Sequence, residues 1–466
     1  MRTMLTLLVI ALPAFYQEAL KPDSLDPSQE NQWPQYVAIM AELSPFVDEA
    51  KANDRAIRRE GNEWAGYGFA SYYVTPAIGL REHHAVERAR LAGVLDEWTR
   101  RGVFEYTEAL AGLPRAVPPQ RAIDAPPEYS LTLVRELARV QLARMHLAAQ
   151  RSDDEVRIRA LHEILAMYRL HAWHDSLLGW LVAESGARDA CAELLRTQLI
   201  HPMPSDTALA QADAVIAHET LDRWIAPDGL LELVRSDLLG IIDHVYTDDG
   251  QGGGTFRPEA YDELLRGGPR RISLENVETP FAPRGRAVEW SGRFLMLLSE
   301  MLAARGEGYI AAKQAALRHI EDADPSLPIA GDLGPAYVFT ARNARRWEVM
   351  VAGTRVVLAI ERYRLTREGE PPASLADLGA LLPVALRTDP LSGEPWKYTA
   401  EAMQTDEFQQ PLLPGALAWP YTLKAQPLNG KEPALGYARE ATEGLLITPP
   451  IQGPEFDPVP SPVEDH

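Results

Sequence analysis

The chain has 466 residues, of which 46% are hydrophobic and 24% charged, a composition that supports folded cores and excludes wholesale disorder. Its 46 Lys and Arg stand against 66 Asp and Glu, and the resulting formal charge of −20 repels phosphate backbones and anionic lipid surfaces. Cys191 is the sole cysteine, so intrachain disulfides, cysteine-based zinc cages and CxxC redox pairs are excluded.

At the N-terminus Arg2 precedes an apolar run from Met4 to Tyr16, and Gln17, Glu18 and Asp23 follow it. This is the charge order of an export signal. The run is shorter than the ~20 apolar residues that span a bilayer, and Pro13 interrupts it, so a cleavable signal is favoured over a permanent membrane helix. An apolar helix docked on the body is the alternative. Residues 1–20 are therefore read as an export signal or N-terminal anchor, the location as cell envelope or periplasm, and membrane contact as limited to this segment.

Residues 21–113 form a predicted N-terminal helical region. Tyr36, Ile39, Met40, Leu43, Phe46 and Val47 have helical spacing within a helix over Trp33–Glu60, with Pro45 marking a kink or break. Aromatics alternate with glycine between Gly61 and Leu80, a packed loop, and a second helix is expected over His83–Leu110. Prolines 114, 118, 119, 126 and 127 mark a linker. Residues 128–335 then read as a helical array. Leu131–Ala149 and Glu155–Ala183 are paired amphipathic helices, followed by helical patterns over Asp189–Leu199, Asp206–Trp224, Gly229–Val245, Pro258–Leu265, Val288–Leu302 and Ile310–Ile320. A Gly-, Pro- and Arg-rich loop, Gly267–Arg286, separates two groups of helices.

Residues 336–448 begin with a long helix, Tyr337–Thr366, after which short β-prone runs at Trp396–Thr399 and Tyr421–Lys424 replace helical periodicity. Residues 449–466 read as a disordered tail. The fold class expected is mainly α: an array of paired amphipathic helices with a small α+β C-terminal module.

Within that module Gly369 can end the long helix in the left-handed conformation and Pro371 prevents its resumption. Ser374 with Asp377 caps a short second helix, and Asp389-Pro390 with Ser392-Gly393 forms a turn into an edge strand. The run from Ala359-Ile360-Glu361-Arg362-Tyr363 through Ser374-Leu375-Ala376-Asp377-Leu378 to Thr388-Asp389-Pro390-Leu391-Ser392-Gly393 resembles the C-terminal half of type II secretion pseudopilins. It more closely resembles a group of uncharacterised envelope proteins of planctomycete type that end in such a module. Leu131–Ile200 is similar to the same group. The resemblance covers about a quarter of the chain and implies a module rather than an activity. The acidic calcium loop that often closes such pseudopilins is absent after Tyr421.

Two patterns are candidates for metal chemistry. Asp248-Asp249-Gly250-Gln251-Gly252-Gly253-Gly254-Thr255-Phe256-Arg257-Pro258-Glu259 places an acid first, glycine sixth and glutamate twelfth between two helices, as an EF-hand does. Gly250 and Gly252 stand where two oxygen ligands belong, and Arg257 adds positive charge. The favoured reading is a glycine-rich turn, with calcium held by Asp248 and Glu259 as the alternative. His171, His174 and Asp175 lie at i, i+3 and i+4 of a helix and could converge on a metal; a buried His171–Asp175 hydrogen bond is the simpler account. His162-Glu163 and His218-Glu219 do not continue into HExxH, and GxSxG, SxxK and Walker loops are missing. The expected function is a non-catalytic, envelope-associated structural or interaction protein with protein partners in the envelope, no nucleic acid and no cofactor. The alternative is an exported metal-dependent hydrolase using the His/Asp site.

Overall fold

The computed structural model describes residues 32–59, 92–114, 116, 131–172, 177–221, 227–249, 253–265, 281–402, 418–425 and 447. The export segment, the aromatic loop 61–80, nearly all of the proline linker, most of the loop 267–286 and the tail 449–466 lie outside them. The fold is mainly α, with one two-stranded antiparallel sheet among the described residues.

Helix α1 (Trp33–Arg59) buries Trp33, Tyr36, Leu43 and Val47 and runs through Pro45, which removes only one backbone hydrogen bond. The helix expected over His83–Leu110 is interrupted. Helix α2 (described over 92–100) and α3 (Val103–Ala111) meet at Gly102, whose φ of 70° is a left-handed conformation that glycine adopts without Cβ strain. Its amide closes α2 on Thr99 O at 3.1 Å and its carbonyl opens α3 by accepting from Glu105 N at 3.1 Å.

Helices α4 (Leu131–Gln150), α5 (Asp154–Ala172) and α6 (Leu177–Ile200) pack on one another, with α3 against α5 and α1 against α3 and α4. The single helix expected over Glu155–Ala183 is therefore two: α5 and α6 lie side by side, which no continuous helix allows. Helix α7 (Asp206–Ile216) packs on α5 and passes into a π-helical turn, Ala217–Leu221. Ser205 Oγ accepts from Ala208 N at 3.1 Å at its start. Ser205→Ala is expected to cost about 1 kcal/mol in chemical denaturation, because it orphans that amide.

Helices α8 (Pro227–Val245), α9 (Pro258–Leu265), α10 (Arg284–Ala303) and α11 (Gly306–Glu321) follow, with α10 packed on both α8 and α11. The long helix α12 (Pro328–Leu365) starts nine residues before the expected Tyr337, carrying Pro328 in its first turn and Pro335 inside. It joins the two groups, packing on α6 and α7 and on α10 and α11. One hydrophobic cluster runs from Trp33 to Leu358, and Trp347 is fully buried within it.

A second cluster covers the C-terminal half of α12. Gly369 has φ 90° and Asp377 Oδ2 accepts from Ser374 N at 2.8 Å, opening the 3-10 segment Leu375–Leu381. Strands β1 (Lys397–Thr399) and β2 (Thr422–Lys424) fall on the two β-prone runs and pair with Tyr398 opposite Leu423. Among the described residues no helix is long and apolar enough to cross a membrane.

Candidate functional site

Of the two sequence-level metal candidates, the first lies largely outside the described residues. His171 belongs to α5, whose described end is Ala172, and its side chain, like all of His174 and Asp175, lies outside the described residues. Among the described residues no group of three or more His, Cys, Asp or Glu stands close enough to hold a metal ion.

The two described ends of the segment between α8 and α9, residues 246–249 and 253–257, lie side by side. Tyr246 and Phe256 form an antiparallel bridge, Thr247 N donates to Thr255 O at 2.8 Å, and Thr255 N donates to Thr247 Oγ1 at 2.8 Å. Asp249 Oδ1 accepts from Gly253 N at 2.8 Å, so this carboxylate braces the turn. Asp248 and Glu259 are both exposed. Arg257 donates to the carbonyl of His244 at the end of α8, and Arg284 pairs with Asp243. The Arg284 guanidinium is held above its usual range first by that hydrogen bond to Asp243 and also by the charges of Asp248 and Asp249. The Arg284 guanidinium thus shares the acidic potential of Asp243, Asp248 and Asp249. Calorimetric titration of metal-free protein with calcium is expected to show no saturable micromolar binding, and Asp248→Ala no change.

The densest polar chemistry lies inside the α3–α6 group, at residues the sequence did not single out as a unit. Glu163 is buried between three helices: it accepts from Thr107 Oγ1 and Gln141 Nε2, both at 2.5 Å, and from Arg144 Nη1 at 3.1 Å. Arg144 lies over the Phe104 ring at 4.0 Å. Burial raises the Glu163 carboxyl, with Arg144 opposing. On the other side of α4, His146 Nδ1 donates to Glu193 Oε1 at 3.1 Å while Arg196 Nε donates to Glu193 Oε2 at 2.8 Å. Arg157, fully buried, donates to the His201 carbonyl at 2.9 Å and to Thr197 Oγ1 at 2.8 Å, tying α5 to the end of α6. Burial lowers its guanidinium to about 10.

The fourth cluster sits at the π turn. Arg169 Nε donates to Glu219 Oε2 at 2.7 Å, and its other nitrogens donate to Pro114 O at 2.9 Å and Leu113 O at 3.0 Å. His162 Nε2 lies 3.3 Å from Glu219 Oε1 and His218 Nε2 3.7 Å from it. Burial works to raise the Glu219 carboxyl, but the His162 hydrogen bond and the Arg169 guanidinium outweigh it and leave it below the usual range. The two His-Glu dipeptides, 56 residues apart by the numbering, thus meet through His162 and Glu219. The available sequence signal was the pair of His-Glu steps on apolar helices; what it lacked was the helix pairing.

Further titratable groups among the described residues lie buried in the core. The Cys191 thiol is buried and pushed up to about 12 by burial. Glu184 and Asp237 are buried carboxyls each pushed up to about 7 by burial, Asp237 accepting from Tyr337 Oη at 2.5 Å. A shallow groove between α10 and α11 is lined by Glu300, Gly308 and alanines 303, 304, 311, 312 and 315, apart from Glu300 without polar side chains. No family model matches the chain, and neither a curated protein nor a solved structure matches it.

Proposed function

We propose that the protein is a non-catalytic, envelope-associated structural or interaction protein, exported through its N-terminal segment, whose helical array holds a stable surface for protein partners. The observation that carries this reading is how the interior uses its chemistry. Arg144, Arg157 and Arg169 and the carboxylates of Glu163, Glu193 and Glu219 each join separate helices, so groups able to act as acids, bases or ligands are engaged in fixing the scaffold. The long helix with a small antiparallel sheet on its C-terminal half supports a pseudopilin-like build for the module. Calcium and other metals have no part in this reading.

Cross-linking in intact cells followed by envelope fractionation tests it. A defined cross-linked partner mapped to the helical array is expected, and sequencing of the mature protein is expected to start after the apolar run. Intact Met1 in the soluble cytoplasm would remove the export reading. Metal-stimulated hydrolysis by the purified protein, lost in His171→Ala and His174→Ala, would overturn the non-catalytic one.

A further inference from the structure

Helix α10 turns one side to solvent. Gly292, Arg293, Met296, Ser299, Glu300 and Ala303 are exposed and recur at helical spacing, while Trp290, Phe294, Leu298 and Met301 on the opposite side are buried. Met296 lies at the middle of the exposed side and is 65% exposed. A Cβ at Gly292, one turn away, would meet nothing within 4 Å, so no described segment covers the face there. Arg293 and Glu300 flank Met296 on the same side of the helix, two turns apart. They do not pair with each other, and neither side chain has a hydrogen-bond or ion-pair partner among the described residues. The groove beside Glu300 is otherwise lined by alanine and glycine, which leaves room for the methylene stem of an arginine.

An unpaired cation and an unpaired anion on either side of an exposed apolar side chain make this face complementary to itself. At a rise of ~1.5 Å per residue, Arg293 stands ~4.5 Å before Met296 along the helix axis and Glu300 ~6 Å after it. When two copies of α10 lie antiparallel and cross at Met296, Arg293 of each copy therefore comes opposite Glu300 of the other. A two-fold axis repeats the contact, so two ion pairs bracket a Met296–Met296 contact. We propose that the exposed face of α10 is a self-association surface, on which a second copy of this chain docks antiparallel through Met296, Arg293 and Glu300. Charge complementarity selects the occupant: opposite charges at matching distances about Met296 are answered by the same face turned end for end.

The test uses the full-length chain with variants at exposed positions. At ~0.15 M salt the Debye length is ~8 Å, so the overall charge of −20 is largely screened between molecules while side chains in contact still interact. Light scattering of the wild-type chain is expected to show a concentration-dependent dimer of twice 51.7 kDa. Arg293→Glu and Glu300→Arg each set like charges opposite one another, so each alone is expected to need about tenfold or more higher concentration to dimerise. Mixed in equal amounts, the two variants present opposite charges at both pairs again, and dimer is expected to return near the wild-type concentration. Oxidised Met296→Cys is expected to give a covalent dimer faster than Val384→Cys, a position 76% exposed in the C-terminal module, and the buried Cys191 does not compete. A wild-type chain that stays monomeric at its highest soluble concentration overturns the proposal, and is the result expected if a different protein covers this face. So does a mixture that associates no better than the single variants, or equal cross-linking at the two cysteine positions.

Discussion

Replacing Glu219 with alanine is expected to destabilise the protein by about 3–5 kcal/mol, the usual cost of removing one partner of a buried ion pair. Glu219 is 1% exposed and Arg169 2%, so the guanidinium left behind has no water to replace the lost carboxylate. Its remaining bonds to the Leu113 and Pro114 carbonyls satisfy donors but do not neutralise charge. The loss should therefore spread to the end of α3, which Arg169 ties to α5. His162, with a side chain 39% exposed, can turn to solvent when Glu219 is lost, so the stranded charge is that of Arg169. Urea denaturation should show a lower midpoint at an unchanged slope. Glu219→Gln keeps the shape and one acceptor and should cost less, and a Glu219→Leu, Arg169→Met double variant should recover much of the loss, since an apolar pair of similar volume carries no desolvation penalty. A fall below about 1 kcal/mol in Glu219→Ala would show that the pair is not buried as described.

Stability is also expected to fall as the pH rises from 5 to 8. Glu184 and Asp237 are both held up to about 7 by burial, Asp237 with the Tyr337 hydroxyl opposing and Glu184 with Arg188 opposing on its own helix and Arg346 opposing on α12. In the unfolded chain such carboxyls titrate near ~4. Below that value both states are protonated and the stabilisation is complete; above it the unfolded state ionises first, and the stabilisation is lost by the time the pH passes the folded value near 7. Each group accounts for on the order of 3 kcal/mol over the full span. Glu193 and Glu219 act in the opposite sense. Burial favours their protonation, but cationic neighbours hold them below the usual range, so their contribution is present above ~4 and is lost as the pH falls. The maximum therefore lies on the acid side of neutrality. Asp237→Asn, which mimics the protonated carboxyl, should flatten the decline between pH 5 and 8. Denaturation curves that are identical at those two pH values in the wild type would contradict the placement of both carboxyls.

Hydrophobic periodicity alone determined that the protein is mainly helical, because a stripe of Leu, Val and Ile every three or four residues has no other way to leave water. Helix α9 begins at Pro258 and ends at Leu265 as its pattern requires, and both short strands fall on Trp- and Tyr-containing β-prone runs. Local turn chemistry was equally legible at Gly369 and at Ser374 with Asp377, since those conformations depend on residues a few positions apart. Where a helix breaks was less legible. Gly102 interrupts an apolar pattern that continues on both sides, and Pro335 fails to interrupt one, because packing of α12 against α10 and α11 outweighs one missing hydrogen bond. Which polar groups of separate helices meet in the interior was not legible in the sequence. His162 and Glu219 lie on different helices, as do Arg157 and Thr197, and only the side-by-side packing of α5 with α6 and α7 brings them together. Periodicity says which face of a helix is buried; which other face it meets, and so which charges must share the interior, is decided by tertiary structure, because that choice depends on the shapes of both surfaces at once.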